Sequence, residues 1–228
     1  MIKSISVLSM LVLGSAAAGN AAPTAEVRAE YESVISHTQA DGAPTTDRSA
    51  WSFERGSDYV IVRSADRNVE ERWTRDDGRR VWYTRIFHKQ KRAIEYAPVD
   101  LSMTGAITDW DQIRSIISPS ALEALSKVER NAHTPVNTTV YRGEQDGKRV
   151  ELHWLDREQL PSFIQKEDRD GVQTMRLLSV HVSDDPSLQP PAIDFSDYDM
   201  VDFADIGDRH HDPFIERMTR FEGVLSHR

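Results

Sequence analysis

Residues 69–96 read VEERWTRDDGRRVWYTRIFHKQKRAIEY, and this stretch decides the fold class. At its centre Asp77-Gly78 forms a dipeptide typical of a tight β-turn, and both flanks are rich in aromatic and β-branched residues. From Val81 to His88 the side chains alternate between two sides, and Ala93–Tyr96 supplies another short apolar run. The pattern predicts consecutive antiparallel strands joined by hairpins.

The same pattern returns after a helical interruption. Asp109 is a good N-cap for a first helix, and Ser118-Pro119 opens a second one, predicted over 119–131. Further hairpin turns follow at Asp146-Gly147 and Asp170-Gly171, and at such turns we expect glycine to take a positive φ. Strands, a central helical pair and more strands predict an α+β fold, with an antiparallel sheet and helices on one face.

The two ends of the mature chain carry helical patterns. Apolar residues from Val27 to Ile35 predict a weak helix, followed by a loop through Asp47. Near the C-terminus, Asp212 and Pro213 supply an N-cap and a first-turn proline, and an apolar stripe predicts a helix near 213–225. No linker divides the chain, so we expect a single domain over residues 22–228.

The N-terminus has the features of a secretory signal peptide. Lys3 precedes the apolar run Ile5–Leu13, and small residues follow up to Ala22. A bilayer span needs about 20 apolar residues, so this run is too short to be one. We predict cleavage after Ala21, with cleavage after Ala18 as the alternative. The favoured site makes residues 1–21 the signal peptide and gives a soluble periplasmic protein without a transmembrane segment.

Composition excludes several function classes. The net charge is −9 and the pI about 5.4, which argues against nucleic acid as a partner because such binding needs clustered positive charge. The chain has no cysteine, so disulfides, thiolate metal sites and cysteine nucleophiles are excluded. No Gly-x-Ser-x-Gly motif and no glycine-rich phosphate loop occurs. We therefore predict a protein that is not an enzyme and has no cofactor.

One stretch carries a family resemblance. Val150–Asp156, Leu160-Pro161, Asp170-Gly171 and Thr174–Val180 resemble the periplasmic lipoprotein-carrier (LolA/LolB-like) superfamily, over roughly residues 50–182. The resemblance implies an open half-barrel, a curved antiparallel sheet with helices packed on its concave apolar face. It also implies an exported binding or carrier protein of the cell envelope, whose partner is a lipid, a lipoprotein acyl chain or another apolar ligand. The superfamily's lid-contacting arginine is assigned to no position here.

The candidate ligand-binding residues are large apolar side chains on the predicted strands. Such side chains offer apolar area to a ligand at little entropic cost, and ordinary core packing is the alternative interpretation. The six candidates are Trp73, Trp82, Ile86, Leu152, Trp154 and Phe163.

The tail supports a different alternative. Carboxylates and imidazoles are concentrated over residues 202–213, where Asp208, His210 and His211 are candidate ligands of a metal-binding protein. No established ligand spacing is matched, and the favoured interpretation is that the acids cap turns and the following helix. A further alternative function is an interaction or regulatory module of the envelope, which would bind an envelope protein as its partner.

Overall fold

A computed structural model describes residues 26–38, 44–129, 136–183, 192–209 and 211–221. The predicted signal peptide, residues 1–21, lies outside the described residues and stays a prediction. Within the described ranges no helix is long and apolar enough to cross a membrane.

Twelve strands and four short α-helices make up the described chain. The strands are β1 Glu26–Thr38, β2 Pro44–Arg55, β3 Tyr59–Ser64, β4 Val69–Arg75, β5 Val81–Phe87, β6 Arg92–Tyr96, β7 Ser126–Val128, β8 Thr138–Gln145, β9 Lys148–Leu155, β10 Leu160–Asp168, β11 Gly171–Ser183 and β12 Asp199–Asp202. The helices are α1 Pro98–Thr104, α2 Trp110–Ser115, α3 Pro119–Glu123 and α4 Pro213–Phe221, with a 3₁₀ helix at Phe203–Arg209.

All twelve strands form one open, curved sheet in the order β12-β6-β5-β4-β3-β2-β1-β11-β10-β9-β8-β7. Strands β1 to β6 form one antiparallel meander and β7 to β11 a second. The long pairing of β1 with β11, from Glu26↔Ser183 to His37↔Gly171, joins them. Only the β12–β6 pair is parallel among the described strands. The predicted curved antiparallel sheet is therefore confirmed.

The sheet has two different faces. Cross-strand partners lie on the same face of a sheet, so the register places Tyr31 beside Trp51 and Phe53 beside Val62. These side chains are buried in one core with Ile113 and other helical residues, and we call this side the helix-covered face. The opposite face carries the alternate residues. The register and the core confirm that helices pack on one face; that this face is the concave one stays a prediction.

One predicted helix is wrong, and another is shorter than predicted. Residues predicted as a weak helix and loop form β1 and β2, because Tyr31 and Trp51 pair across neighbouring strands in the middle of the sheet. The second central helix ends at Glu123 and not near 131. Beyond it Ser126–Val128 pairs with β8 as β7, and this ladder replaces the last helical turns.

The hairpin glycines have different roles. Gly147 takes the expected positive φ of 73°, whereas in the turn at Gly78 the positive φ belongs to Arg79. Gly171 does not take the expected positive φ. A glycine is needed there for close approach of the main chain, because a Cβ would lie 2.2 Å from the Ser36 carbonyl oxygen.

The C-terminal segment runs along the β6 edge and returns to the helix-covered face. Asp212 caps α4 by accepting a hydrogen bond from the Phe214 N–H at 2.8 Å, and its carboxylate pairs with Arg92. The Phe214 ring packs edge-on against Phe87, with ring centroids 5.1 Å apart. Residues 222–225 of the predicted helix lie outside the described residues.

Candidate functional site

A stacked aromatic pair lies at the centre of the helix-covered face. The rings of Tyr31 and Trp51 have centroids 4.5 Å apart and planes inclined by 15°. The Trp51 Nε1–H donates to Ser33 Oγ at 2.9 Å, and the Tyr31 hydroxyl donates to the Pro161 carbonyl at 3.0 Å. Burial raises the pKa of the Tyr31 hydroxyl far above its usual value, so the group stays neutral. The pair is an apolar floor whose polar atoms are satisfied.

A second aromatic row extends this floor across β4 to β6. Trp73 packs on Tyr83 with centroids 4.8 Å apart, and Tyr83 packs on Tyr96 at 5.0 Å. The Tyr96 ring stacks in turn on Phe203 at 4.9 Å, which ties the 3₁₀ helix to the sheet. Burial, and next the Glu71 carboxylate, raise the pKa of Tyr83 well above its usual value. The helix-covered face is therefore aromatic over most of its first meander.

The structure places three predicted ligand-binding residues on the helix-covered face. Trp73 belongs to the aromatic row, and Leu152 and Trp154 lie on β9 in the same core. All three are buried against protein side chains. They thus belong to the same core as the floor formed by Tyr31 and Trp51.

The other three predicted residues lie on the opposite face. Trp82 is 41% exposed, whereas Ile86 on the same strand is buried. Phe163 is half-buried beside His153, with ring centroids 5.2 Å apart. The six candidates therefore do not form one site, because the strand register divides them between two faces. Their roles in ligand binding stay predictions.

A helical segment, residues 98–125, covers the end of the aromatic face, and we call it the cover. On the first meander Arg75 of β4 places its guanidinium carbon 5.0 Å from the ring centroid of Trp110 in α2. On the second meander Leu125 lies against β8, where a Cβ at Gly143 would come within 2.8 Å of its side chain. The cover therefore bridges the two meanders.

Two arginines fasten the cover to the sheet, and we call them the arginine clamp. Arg55, the last residue of β2, donates from Nη1 to the Arg114 carbonyl of α2 at 2.6 Å. In return Arg114 donates from Nη1 to the carbonyls of Gly56 and Ser57 at 2.5 and 2.7 Å. Arg55 at the end of β2 thus binds the main chain of α2, and Arg114 of α2 binds the main chain that directly follows β2.

Arg55 also reaches the second meander. Its Nη2 donates to the Glu158 carbonyl, and Nη1 lies 3.3 Å from the Gln159 carbonyl, both in the β9–β10 turn. One side chain, only 1% exposed, therefore joins β2, the cover and the β9–β10 turn. Removal of Arg55 would leave several carbonyl groups without this donor.

Burial and neighbouring positive charges lower the pKa values of both arginines of the clamp. Burial and, next, the nearby positive charge of Arg114 together lower the pKa of Arg55 to about 10. Burial also lowers the pKa of Arg114, with a smaller contribution from Arg75. Both groups remain charged at neutral pH, and Arg55 donates to the main-chain carbonyls of Arg114, Glu158 and Gln159. Transfer of this guanidinium to water would recover its hydration free energy, so opening the clamp costs less than its hydrogen bonds suggest.

The opposite face carries an ionic network. Arg63 donates from Nη1 to Glu54 and from Nε to Glu70, both at 3.0 Å. Arg72 also donates to Glu70, and His88 Nε2 lies 3.4 Å from the same carboxylate. The two glutamates are buried, so their paired cations are what make this burial tolerable.

A groove of about 320 Å³ opens beside this network. Its lining includes Glu30, Ser52, Arg63, Glu70 and His88. Arg63 and Glu70 already pair with each other. Their ion pair is therefore part of the groove wall.

Of the candidate metal ligands in the tail, the structure describes Asp208 and His211. Asp208 and His211 are exposed, and His210 lies outside the described residues. Within the described ranges no three His, Asp or Glu side chains are placed to hold a metal ion.

The clamp is the feature that sequence analysis missed. Arg55 is the last residue of β2 and belongs to no sequence motif. Its acceptors lie 59, 103 and 104 residues further along the chain. Main-chain carbonyls have no sequence signature. The available signal was a charged residue at the end of an apolar strand, which alone does not distinguish a buried arginine from a surface one.

Comparisons with known proteins give structural likeness only. No protein-family model matches the chain, and no curated protein matches it significantly. A structure of PNGF-II shares 8% identity at a TM-score of 0.42, over 78% of this chain, which spans 31% of that protein. A DUF1329 family protein from Desulfovibrio piger shares 9% at 0.35, over 72% and 87% of the two chains. The Pseudomonas aeruginosa MucA/MucB complex shares 14% at 0.28, over 73% and 53%.

These values do not assign the chain to a family. What the structure has in common with the superfamily resemblance is the open, curved antiparallel sheet. Membership of the superfamily stays a prediction.

Proposed function

We propose that the protein is a non-catalytic carrier of the bacterial envelope that takes up an apolar ligand, such as an acyl chain, beneath the cover. The arginine clamp carries this proposal, since it fastens a short helical segment over an aromatic face through hydrogen bonds to main-chain carbonyls. The periplasmic location is part of the proposal and is supported by the signal-peptide pattern of residues 1–21.

The cover is built in a way that favours opening. Its helices contain only seven, six and five residues, so they gain little stability from their own hydrogen bonds. Ile116, which ends α2, has a φ of 69°. A β-branched residue in this region costs about 1–3 kcal/mol, and such strain is common where a segment moves. This strained residue lies two positions after Arg114.

Opening is required because the aromatic face is filled in the closed state. Trp51, Trp73 and Trp154 are each less than 10% exposed. An acyl chain would therefore take the place of cover side chains such as Ile113 and Ile117 on this face. Burial of an acyl chain contributes about 0.8 kcal/mol per methylene group, which offsets the cost of displacing the cover.

Titration with an environment-sensitive apolar dye tests the proposal. We expect saturable binding by the folded chain, weakened several-fold by Trp154→Ala, which removes apolar area beneath the cover. Trp82→Ala is the matched control, because Trp82 lies on the opposite face, and we expect it to leave dye binding unchanged.

Absence of saturable binding by the folded wild-type chain would contradict the carrier proposal. It would instead favour the interaction-module alternative, in which the packed interior serves stability and a partner binds outside. Equal losses in the two tryptophan variants would place the dye elsewhere than beneath the cover.

A further inference from the structure

Strand β11 has an edge that its neighbour leaves uncovered. β10 pairs with β11 only from Phe163↔Arg176 to Asp168↔Gly171, whereas β1 pairs with β11 along its whole length. Among the described residues, no strand pairs with residues 177–182 on the side away from β1. An exposed edge of this kind is a template for another strand.

This edge is mainly apolar and contains no Asp, Glu, Lys or Arg. Its sequence is Leu-Leu-Ser-Val-His-Val, without the lysine or proline that commonly protects strand edges. Leu178, the extra residue at a bulge opposite Glu30 and Tyr31, is 59% exposed, and Val182 is 39% exposed. Both belong to the few large apolar side chains that the described surface exposes.

We propose that this edge pairs with the same edge of a second copy, which gives an antiparallel dimer whose two-fold axis passes beside Val180. In this register Val180 faces Val180 of the other copy, and Leu178 faces Val182. The pairing is self-complementary, as a two-fold interface requires. It would cover both exposed apolar side chains of each edge.

Charge complementarity on the opposite face favours a second copy as the partner. The β1–β11 register places Arg28 beside His181 and Glu30 beside Ser179 on that face. In the dimer His181 faces Ser179 of the second copy, so one row across the junction runs Arg28, His181, Ser179, Glu30. The two-fold axis repeats this row in reverse. Arg28 of one copy and Glu30 of the other therefore lie at opposite ends of each row, on the strands that flank the junction, and Arg28 also pairs with Glu26 of its own chain. Charges of opposite sign thus flank the junction on this face, despite a net charge of −9 per chain.

The apolar contacts of the dimer and its charged row lie on opposite faces of the sheet. Val180 and Val182 pair with Ala29 and Val27, whose side chains belong to the core. Continuation of the sheet into a second copy would therefore extend the apolar layer on one face and the charged layer on the other. A single sheet running through both copies follows from this arrangement.

Introduction of charged side chains at two positions of the edge tests the dimer. Sedimentation equilibrium of the wild-type chain at micromolar concentration should show a reversible dimer. Leu178→Lys and Val182→Glu alone should each weaken association at least tenfold, because each places a charge opposite an apolar residue. The double variant should restore association, because each introduced lysine then faces an introduced glutamate. Met103→Lys, at a 62% exposed position of α1, is the control and should dimerise like wild type.

A wild-type chain that stays monomeric at all concentrations would overturn the proposal, as would single variants that dimerise as well as wild type. Hydrogen exchange supplies a readout without substitutions. Backbone amides of residues 177–182 should gain protection as concentration rises, and unchanged protection in a concentration-dependent dimer would place the interface elsewhere. None of these outcomes depends on ligand binding beneath the cover.

Discussion

Replacement of Arg55 by leucine is expected to lower the free energy of unfolding by about 2–3 kcal/mol and to raise the apparent affinity for an apolar dye about tenfold. The stability loss arises because carbonyls of Arg114, Glu158 and Gln159 lose their buried donor. The gain in affinity arises because the clamp favours the closed cover. A tenfold change corresponds to a shift of about 1.4 kcal/mol in the equilibrium between closed and open states.

Chemical unfolding and dye titration measure the two effects on the same sample. Arg48→Leu is the matched control: it removes an arginine from the same strand, where the side chain is exposed and pairs with Glu32. Surface pairs of this kind contribute about 0–1 kcal/mol, so both readouts should stay near wild type. If Arg55→Leu lowered stability without strengthening dye binding, the clamp would be a structural contact only.

Replacement of Trp51 by alanine is expected to cause the largest loss of stability, about 3–5 kcal/mol. Trp51 is 2% exposed, stacks on Tyr31 and donates to Ser33, so its removal leaves a cavity and an unpaired hydroxyl at the centre of the sheet. Because β1 joins the two meanders, we expect one cooperative unfolding transition at a lower denaturant midpoint.

Trp82→Ala supplies the comparison, since Trp82 is 41% exposed and should cost less than about 1 kcal/mol. Denaturant unfolding followed by circular dichroism measures both variants. Similar midpoints for the two would contradict the assignment of Trp51 to a packed core and of Trp82 to the surface.

Hairpins were predictable from the sequence because their signals are local. Asp146-Gly147, for example, lies between alternating runs that form β8 and β9. Strands β1 and β2 were not predictable, because apolar residues from Val27 to Ile35 fit a helical spacing as well as a strand. Long-range pairing with β11 decides between the two. The same competition explains β7, where pairing of Val128 with Val140 replaces a helical turn.

The candidate site was predictable in part. Trp73, Leu152 and Trp154 are predicted ligand-binding residues because they are large and apolar and lie on predicted strands. All three lie on the helix-covered face. The alternation of side chains along one strand distinguishes two faces of the sheet but does not show which face the helices cover. From sequence alone, Trp82 and Phe163 are therefore equally good candidates for ligand binding. The Arg55 clamp was outside the reach of sequence patterns, because distant main-chain carbonyls complete it.

If the protein is a carrier of the proposed kind, ligand uptake moves the cover away from the sheet. The natural chain lacks cysteine, so spin labels can be attached specifically at Met103→Cys in α1 and Arg149→Cys in β9, both exposed positions. Electron–electron resonance then measures the distance between the labels as a monomyristoyl phospholipid is added, with labelled chains diluted by unlabelled ones. We expect this distance to lengthen with saturation, whereas the distance in a control pair at Arg48→Cys and Arg149→Cys, both on the sheet, should stay fixed. An unchanged distance between α1 and β9 at saturating lipid would contradict the carrier proposal.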